Sequence, residues 1–376
     1  MSRVKNFQKN MNRAKLSVES GKLSNILLLI TSPFQYLCAQ EFLHQFGLSE
    51  RRIIVVNGAT FCDNSLRQID RLHSNLVNVE EIKLEIPTNT SLEERIKPYA
   101  KLVDCLREYE FERVLVGDLR EIWMQDVACC LSCSDIILVD DGAATNVLTE
   151  KLIAPNNFAL PIALHQQMPS RKEEAERIKR KLGLFLENKN INLFSIFPFP
   201  QYENTSRNHL NVLRDLFNKH HASQKMELHF IGSPVIEKRI VSESAYFEFI
   251  SHARRDMGDG QIPIYFAHRA ENINSKRDFL EQLGFQVEFH EEPYELACAI
   301  QGRVPAQIFG MHSTSLFNMK TLFGGKIKAV CYKINDDALA YLERRSGASD
   351  KFSLREHIEA IYHRLDEFNI ESRTLD

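Results

Sequence analysis

The run Ile136-Ile137-Leu138-Val139 has no polar alternate: four consecutive apolar residues, three of them β-branched. A strand of that kind is buried on both faces. Helices must then cover the sheet from both sides, which places the strand in a parallel α/β fold. The chain repeats the alternation. Strands are expected at 26–31, 52–56, 114–116 and 135–139. Helices are expected from Pro33 to about residue 46, near 63–75, from Ser91 to about 109, and around Trp123. Pro33 suits a first helical turn. Ser91-x-x-Glu94 is a capping box, in which hydroxyl and carboxylate satisfy amides that a helix start leaves unpaired.

A second alternating set begins at 228–231 and continues at 263–266, 286–289, 307–309 and 327–330, with helices expected at 273–283 and 315–322. Between the sets, Ser170-x-x-Glu173 reads as another capping box. It opens a helix bearing Arg177, Lys179, Arg180 and Lys181. That charge run is read as a solvated face, with a patch for acidic glycan or lipid as the alternative. Residues 197–208, rich in proline and polar side chains, look like the approach to a linker. A last helix is expected at 354–371, packing back on the first domain. At 376 residues, two cores are expected rather than one. Two α/β units of similar size facing each other describe the two-Rossmann, GT-B architecture, with the site in the cleft. The expected division is 1–23, a basic leader; 24–222; 223–345; and 346–376, the returning helix.

Bulk properties exclude several classes. A net charge of −3 does not suit an overall basic nucleic-acid binder. Eight irregularly spaced cysteines make no disulfide framework. Cys130-x-x-Cys133 has no second pair, so no metal is expected. A reduced, cytoplasmic setting is the default. No run of about 18 apolar residues is present to span a bilayer. The leader, with Arg3, Lys5, Lys9, Arg13, Lys15 and Lys22, lacks the apolar segment of a secretory signal. It is read as a frayed terminus, with peripheral contact to anionic lipid as the alternative.

Chemistry-bearing residues gather at the expected strand ends, the rim where open α/β sheets bind ligands. Asp140-Asp141-Gly142 closes the strand at 135–139. Adjacent carboxylates raise one another's pKa toward the range of a general base, although Asp-Gly also makes ordinary tight turns. Gly232-Ser233 follows the strand at 228–231 and could approach a phosphate or pyrimidine, or serve only as a turn. His268 and Arg269 follow the strand at 263–266. There an imidazolium could protonate or stabilise a departing phosphate, or the histidine could be structural. Glu295, at an expected helix start, could accept both hydroxyls of a ribose or complement the helix dipole. Ser313-Thr314-Ser315 follows the strand at 307–309. Its amides and hydroxyls form a phosphate cradle or a simple helix cap.

Taken in order, Asp-Asp-Gly, Gly-Ser-Pro, a strand-end histidine, Tyr-Glu-Leu and a hydroxyl pair resemble the bacterial GT-B sialyltransferases, the lipooligosaccharide sialyltransferase and capsular polysialyltransferase group. The opening Leu-Leu-Ile-Thr-Ser-Pro-Phe-Gln-Tyr is similar to the start of the polysialyltransferases. The resemblance spans about residues 26–320. It implies a bacterial, metal-independent inverting transferase, without cofactor, that moves sialic acid from a CMP-activated donor to a hydroxyl of a glycan acceptor in capsule, lipooligosaccharide or oligosaccharide. It implies an enzyme of the cytoplasm or the inner-membrane surface, with the acceptor domain at 24–222 and the donor domain at 223–345. It implies Asp141 as base beside Asp140, and His268 assisting the CMP phosphate. Glu295 would hold the ribose, Thr314 and Ser315 (or Ser313) the phosphate, and Gly232 and Ser233 would lie near the nucleotide. One departure is Arg269, where the family has proline; an arginine there could read a carboxylate or phosphate bidentately. The alternatives are a donor carrying Kdo, legionaminic or pseudaminic acid, a UDP- or GDP-sugar, or a non-catalytic glycan- or nucleotide-binding protein.

Overall fold

The computed structural model describes residues 25–58, 63–73, 76–162, 169–220, 223–258, 260–334 and 354–374. The basic leader and residues 346–353 lie outside them. In the first half, strands and helices alternate as β1 (Asn25–Ile30), α1 (Pro33–Gln45), β2 (Arg52–Asn57), α2 (Asp63–His73), β3 (Val79–Lys83), α3 (Leu92–Leu106), β4 (Phe111–Val116), α4 (Ile122–Cys130), β5 (Cys133–Val139), α5 (Ala144–Leu148), β6 (Ala159–Leu160), α6 (Pro169–Lys181), β7 (Lys189–Ser195) and β8 (Thr205–Arg207). The second half runs α7 (Asn211–Lys219), β9 (Ser223–Ile231), α8 (Glu243–Asp256), β10 (Ile264–Phe266), α9 (Ile273–Gln282), β11 (Gln286–Glu288), α10 (Tyr294–Ile300), β12 (Arg303–Gly310), α11 (Thr314–Phe323), β13 (Lys328–Lys333), α12 (Leu354–His363) and β14 (Glu371–Thr374).

Two sheets result. The first is ordered β3-β2-β1-β4-β5-β7-β6 with β8 beside β7, and the second β11-β10-β9-β12-β13-β14. Every pairing is parallel except the short β6–β7 edge. The expected α/β class and the facing two-Rossmann, GT-B architecture are what the chain adopts. In each sheet the order reverses beside the founding strand, between β1 and β4 and between β9 and β12. Loops leaving the two strands at such a reversal diverge and open a crevice.

Strand composition follows this burial. In β1, Ile26, Leu28 and Ile30 join the apolar cluster on one face, and Leu27 and Leu29 the cluster on the other. Alternate side chains point to opposite sides, so a strand covered twice must be apolar throughout. The expected capping box opens α3: Ser91 Oγ accepts from Glu94 N at 3.3 Å, and Glu94 Oε2 accepts from Ser91 N at 3.1 Å. The helix expected from Ser170 starts at Pro169, so Ser170 lies within it.

Several strands carry no continuous apolar run. β3 reads Val-Glu-Glu-Ile-Lys, the charged pattern suited to a sheet edge. The single helix expected over 354–371 is a correction. α12 stops at His363, Asn369 takes a left-handed φ of 51°, and β14 then pairs parallel with β13. The turn redirects the chain, and asparagine tolerates that conformation better than most residues. α12 meets the first domain through the Lys151–Glu356 ion pair, and just past it Arg364 bonds Glu150 at 2.8 Å. Phe197, Phe317 and Phe368 pack edge to face at 5.1–5.6 Å between ring centres, joining the two halves through a shared apolar cluster.

Candidate active site

Asp140 and Asp141 leave the end of β5 on opposite sides, as successive residues of an extended chain do. Asp140 is fully buried, and its Oδ2 accepts from Ile196 N at 2.7 Å. Burial pushes its carboxyl up to about 7, against hydrogen bonds from Ser195, Ile196 and Thr145 and the nearby charge of Arg207. Its contacts tie β5 to the end of β7. Asp141 turns toward the cleft. Its Oδ1 accepts from Gln35 Nε2 at 2.8 Å, its Oδ2 from Arg120 Nη2, and its own N–H bonds Thr145 Oγ1 at 3.1 Å. Burial raises its carboxyl to about 6. Asp118 adds to the rise, while Arg120, Gln35 and Arg269 oppose it.

The second domain reaches directly into this loop. Thr314 Oγ1 accepts from Ala143 N at 3.1 Å. Gly142 makes the approach possible: its φ is +70°, and a Cβ there would lie 2.5 Å from Thr314 Oγ1. Ser313 is the N-cap of α11, its Oγ accepting from Ser315 N at 3.3 Å. The Thr314 hydroxyl, in the first turn of α11, therefore meets the Asp-Asp-Gly loop across the domain boundary, with Ser315 the next residue of the helix.

His268 lies at the end of β10. Its N–H donates to Glu271 Oε2 at 2.7 Å, and its Nδ1 accepts from Ala270 N at 3.1 Å. With Nδ1 occupied as an acceptor, the proton of the neutral ring sits on Nε2. Burial holds the ring's pKa well below the usual histidine range, reinforced by Arg269, Lys238, His312 and Lys276. The imidazolium expected from the sequence is therefore a neutral donor before ligand arrives. Arg269 spans the cleft: its Nε donates to Ser65 Oγ at 3.1 Å, and its carbonyl accepts from Asn64 Nδ2 at 3.1 Å. Lys238 joins the group electrostatically. Burial lowers its pKa, as do Arg269 and Arg120, while Asp141 raises it.

Gly232 and Ser233 sit between β9 and this cluster, with Ser233 5 % exposed. A Cβ at Gly232 would fall 2.1 Å from Glu271 Oε2, so the loop rests directly on that carboxylate. Glu271 in turn accepts from Tyr265 Oη and from Lys276 Nζ, both at 2.8 Å. Glu295 is 3 % exposed, and its Oε1 accepts from Asn318 Nδ2 at 2.7 Å. Its carboxylate faces α11 rather than open solvent.

The structure thus draws Asp141, Thr314, Ser315, His268 and Arg269 to one place, sets Gly232 and Ser233 beside them, and turns Asp140 and Glu295 inward. Sequence reasoning missed Gln35, Asp118, Arg120, Lys238 and Glu271. Two of these carried a signal. Gly117-Asp118 ends β4 as Asp140-Asp141 ends β5, and Gln35 stands in the stretch after β1. Arg120, Lys238 and Glu271 lie on loops with no pattern to mark them. Among the described residues no group of three or more His, Cys, Asp or Glu side chains is arranged to hold a metal ion, and no helix is long and apolar enough to cross a membrane.

No protein-family model and no curated protein sequence matches this chain. Among solved structures it is similar to Acinetobacter baumannii MurG, with 9 % identity over 94 % of this chain and 86 % of that one and a TM-score of 0.44. It is similar to Glycyrrhiza uralensis UGT73P12, with 10 % identity over 94 % and 83 % and a TM-score of 0.45. The calicheamicin glycosyltransferase CalG4 gives 11 % identity over 93 % and 96 % and a TM-score of 0.44.

Proposed function

We propose that this chain is an inverting glycosyltransferase that moves sialic acid, or a related nonulosonic acid, from a CMP-activated donor to a hydroxyl of a cell-surface glycan. One observation carries the reading. A cleft-facing carboxylate, Asp141, lies opposite a helix N-terminus, two hydroxyls and a set of cationic or donor side chains supplied by the other domain. Displacement of a glycosyl phosphate needs that opposition. Positive charge develops on the sugar and negative charge on the leaving phosphate.

Asp141 takes the proton of the acceptor hydroxyl as its oxygen bonds the anomeric carbon. A pKa near 6 leaves it ionised at pH 7 yet basic enough to receive that proton. The bond from the anomeric carbon to the phosphate oxygen breaks on the opposite face, and the electron pair leaves with CMP. His268 Nε2–H, the α11 amides, and the hydroxyls of Thr314 and Ser315 donate to the phosphate. Arg269 and Lys238 add positive charge. The ring stays neutral as it donates, because its Nδ1 remains the acceptor of Ala270 N. Asp140, bound to Ile196 N, holds the β5 terminus in place. Closure of the domains excludes water that would otherwise hydrolyse the donor.

The test pairs binding with turnover. Wild type and Asp141→Asn are screened for thermal stabilisation by CMP, UDP and GDP, then assayed by mass with CMP-sialic acid and galactose- or sialic-acid-terminated acceptors. CMP should stabilise both proteins, and Asp141→Asn should lose nearly all transfer. A preference for UDP or GDP removes the CMP donor. Near-normal turnover in Asp141→Asn removes the base.

A further inference from the structure

We propose that Asp118 and Arg120, on the loop after β4, form a charge-balanced clamp that positions Asp141 and sets how readily it takes a proton. The inference rests on the reading of Asp141 as the base and goes beyond it by assigning two residues that act through it.

The geometry is that of a built unit. Asp118 is 7 % exposed. Its Oδ1 accepts from Arg120 N at 2.8 Å and Nε at 2.9 Å, and its Oδ2 lies 2.9 Å from Nη2. The same Nη2 reaches Asp141 Oδ2. One guanidinium edge is thus shared between two carboxylates, and its plane is fixed by the first of them. Gln35 secures the other oxygen. Its Oε1 accepts from Thr31 N at 2.7 Å, so Nε2 is necessarily the atom that faces Asp141 Oδ1. Each oxygen of Asp141 then holds one hydrogen bond from the protein and keeps a lone pair for an incoming hydroxyl.

The balance matters because either charge alone would spoil a base. An arginine beside a carboxylate lowers its pKa by about 1–3 units, enough to make a weak base at neutral pH. A second carboxylate without the arginine raises it and leaves the base protonated. Other groups lie around Asp141: Gln35 and the buried, neutral thiol of Cys38 on α1, Thr145 on α5, Lys238 after β9 and Arg269 after β10, with Thr314, at the start of α11, against the next residue, Gly142. Against this background Asp118 and Arg120 oppose one another while touching each other, so their removal has opposite signs.

The experiment follows the Asp141 carboxyl by carbon-13 NMR in full-length protein labelled at aspartate, with Asp141→Asn assigning the signal. No donor is required. In Arg120→Gln the titration midpoint should rise by about one pH unit or more, and in Asp118→Asn it should fall. Arg120→Lys, which keeps the charge and loses the fork, should hold the midpoint near wild type while transfer slows. In turnover assays the acid limb of kcat/KM should move with each midpoint. Shifts of the same sign, or none, overturn the clamp. Should Arg120→Gln fail to fold, an unmoved midpoint in Asp118→Asn overturns it alone. Undiminished turnover in Asp141→Asn would instead strike the base reading, a result separate from the titration.

Discussion

Gly142→Ala tests whether the two domains meet as described. The substitution meets two penalties. Alanine at φ +70° costs about 1–2 kcal/mol relative to glycine. Its Cβ would also lie 2.5 Å from Thr314 Oγ1, closer than carbon and oxygen can approach. Thr314 must withdraw, which breaks its 3.1 Å bond from Ala143 N and removes about 0.5–1.5 kcal/mol more. The expected loss is about 2–3 kcal/mol, read as a lower urea midpoint at unchanged slope. A double-mutant cycle separates the parts. Thr314→Ala alone should lose about 1 kcal/mol, the hydrogen bond. Added to Gly142→Ala it should lose almost nothing further, because that bond is already broken. The cycle should therefore be sub-additive by about 1 kcal/mol. Full additivity, or a Gly142→Ala loss below about 0.5 kcal/mol, would mean that Thr314 does not sit against the Asp-Asp-Gly loop.

His268→Ala should slow transfer on the order of 10²-fold, with CMP-sialic acid as donor and product read by mass; unchanged kinetics would remove the ring from the mechanism. Lys276, fully buried between Glu271 at 2.8 Å and Glu237 at 2.9 Å, anchors the carboxylate under Gly232. Lys276→Met should destabilise by about 3–5 kcal/mol in urea titration, and Lys276→Met with Glu271→Gln should recover part of it, since the uncompensated charge is then gone. Glu41 on α1 accepts from Val212 N at 2.8 Å and Leu213 N at 3.0 Å at the start of α7, and burial raises its carboxyl to about 7. A raised folded-state pKa means that the native protein holds the extra proton. Stability should therefore fall as pH climbs from about 4 to 7, by about 3 kcal/mol at most from this group. Glu41→Gln should flatten that slope, Asp140 leaving a remainder of the same sign; an identical slope would show Glu41 to be ordinary.

The alternation of strand and helix was legible because it depends on neighbours along the chain. β1, β2, β4 and β5 each carry an unbroken apolar run and could be read as strands buried on both faces. Ser91 and Glu94 announced their helix because a capping box spans four residues. Strand-end residues such as Asp141, His268 and Thr314 could be singled out for the same local reason. What each would face could not. Asp140 and Asp141 are chemically identical neighbours, and only the packing of β7 against β5 gives one of them Ile196 N and the other the cleft. Glu295, read as a ribose ligand, accepts from Asn318, a partner no sequence window names.

The clamp is out of reach of any sequence window. Gln35, Arg120 and Asp141 leave three strands, β1, β4 and β5, that lie side by side only through the sheet order. Thr314 and Arg269 arrive from a second sheet. β14 pairs with β13 only after α12 has crossed to the other domain. The sequence by itself determined the alternation of its apolar strands with helices, and that acid and hydroxyl groups stand at the carboxyl ends of strands. The tertiary structure decided which ends share one crevice. Sheet order and domain packing are set by burial summed over the whole molecule, a quantity no short stretch of residues contains.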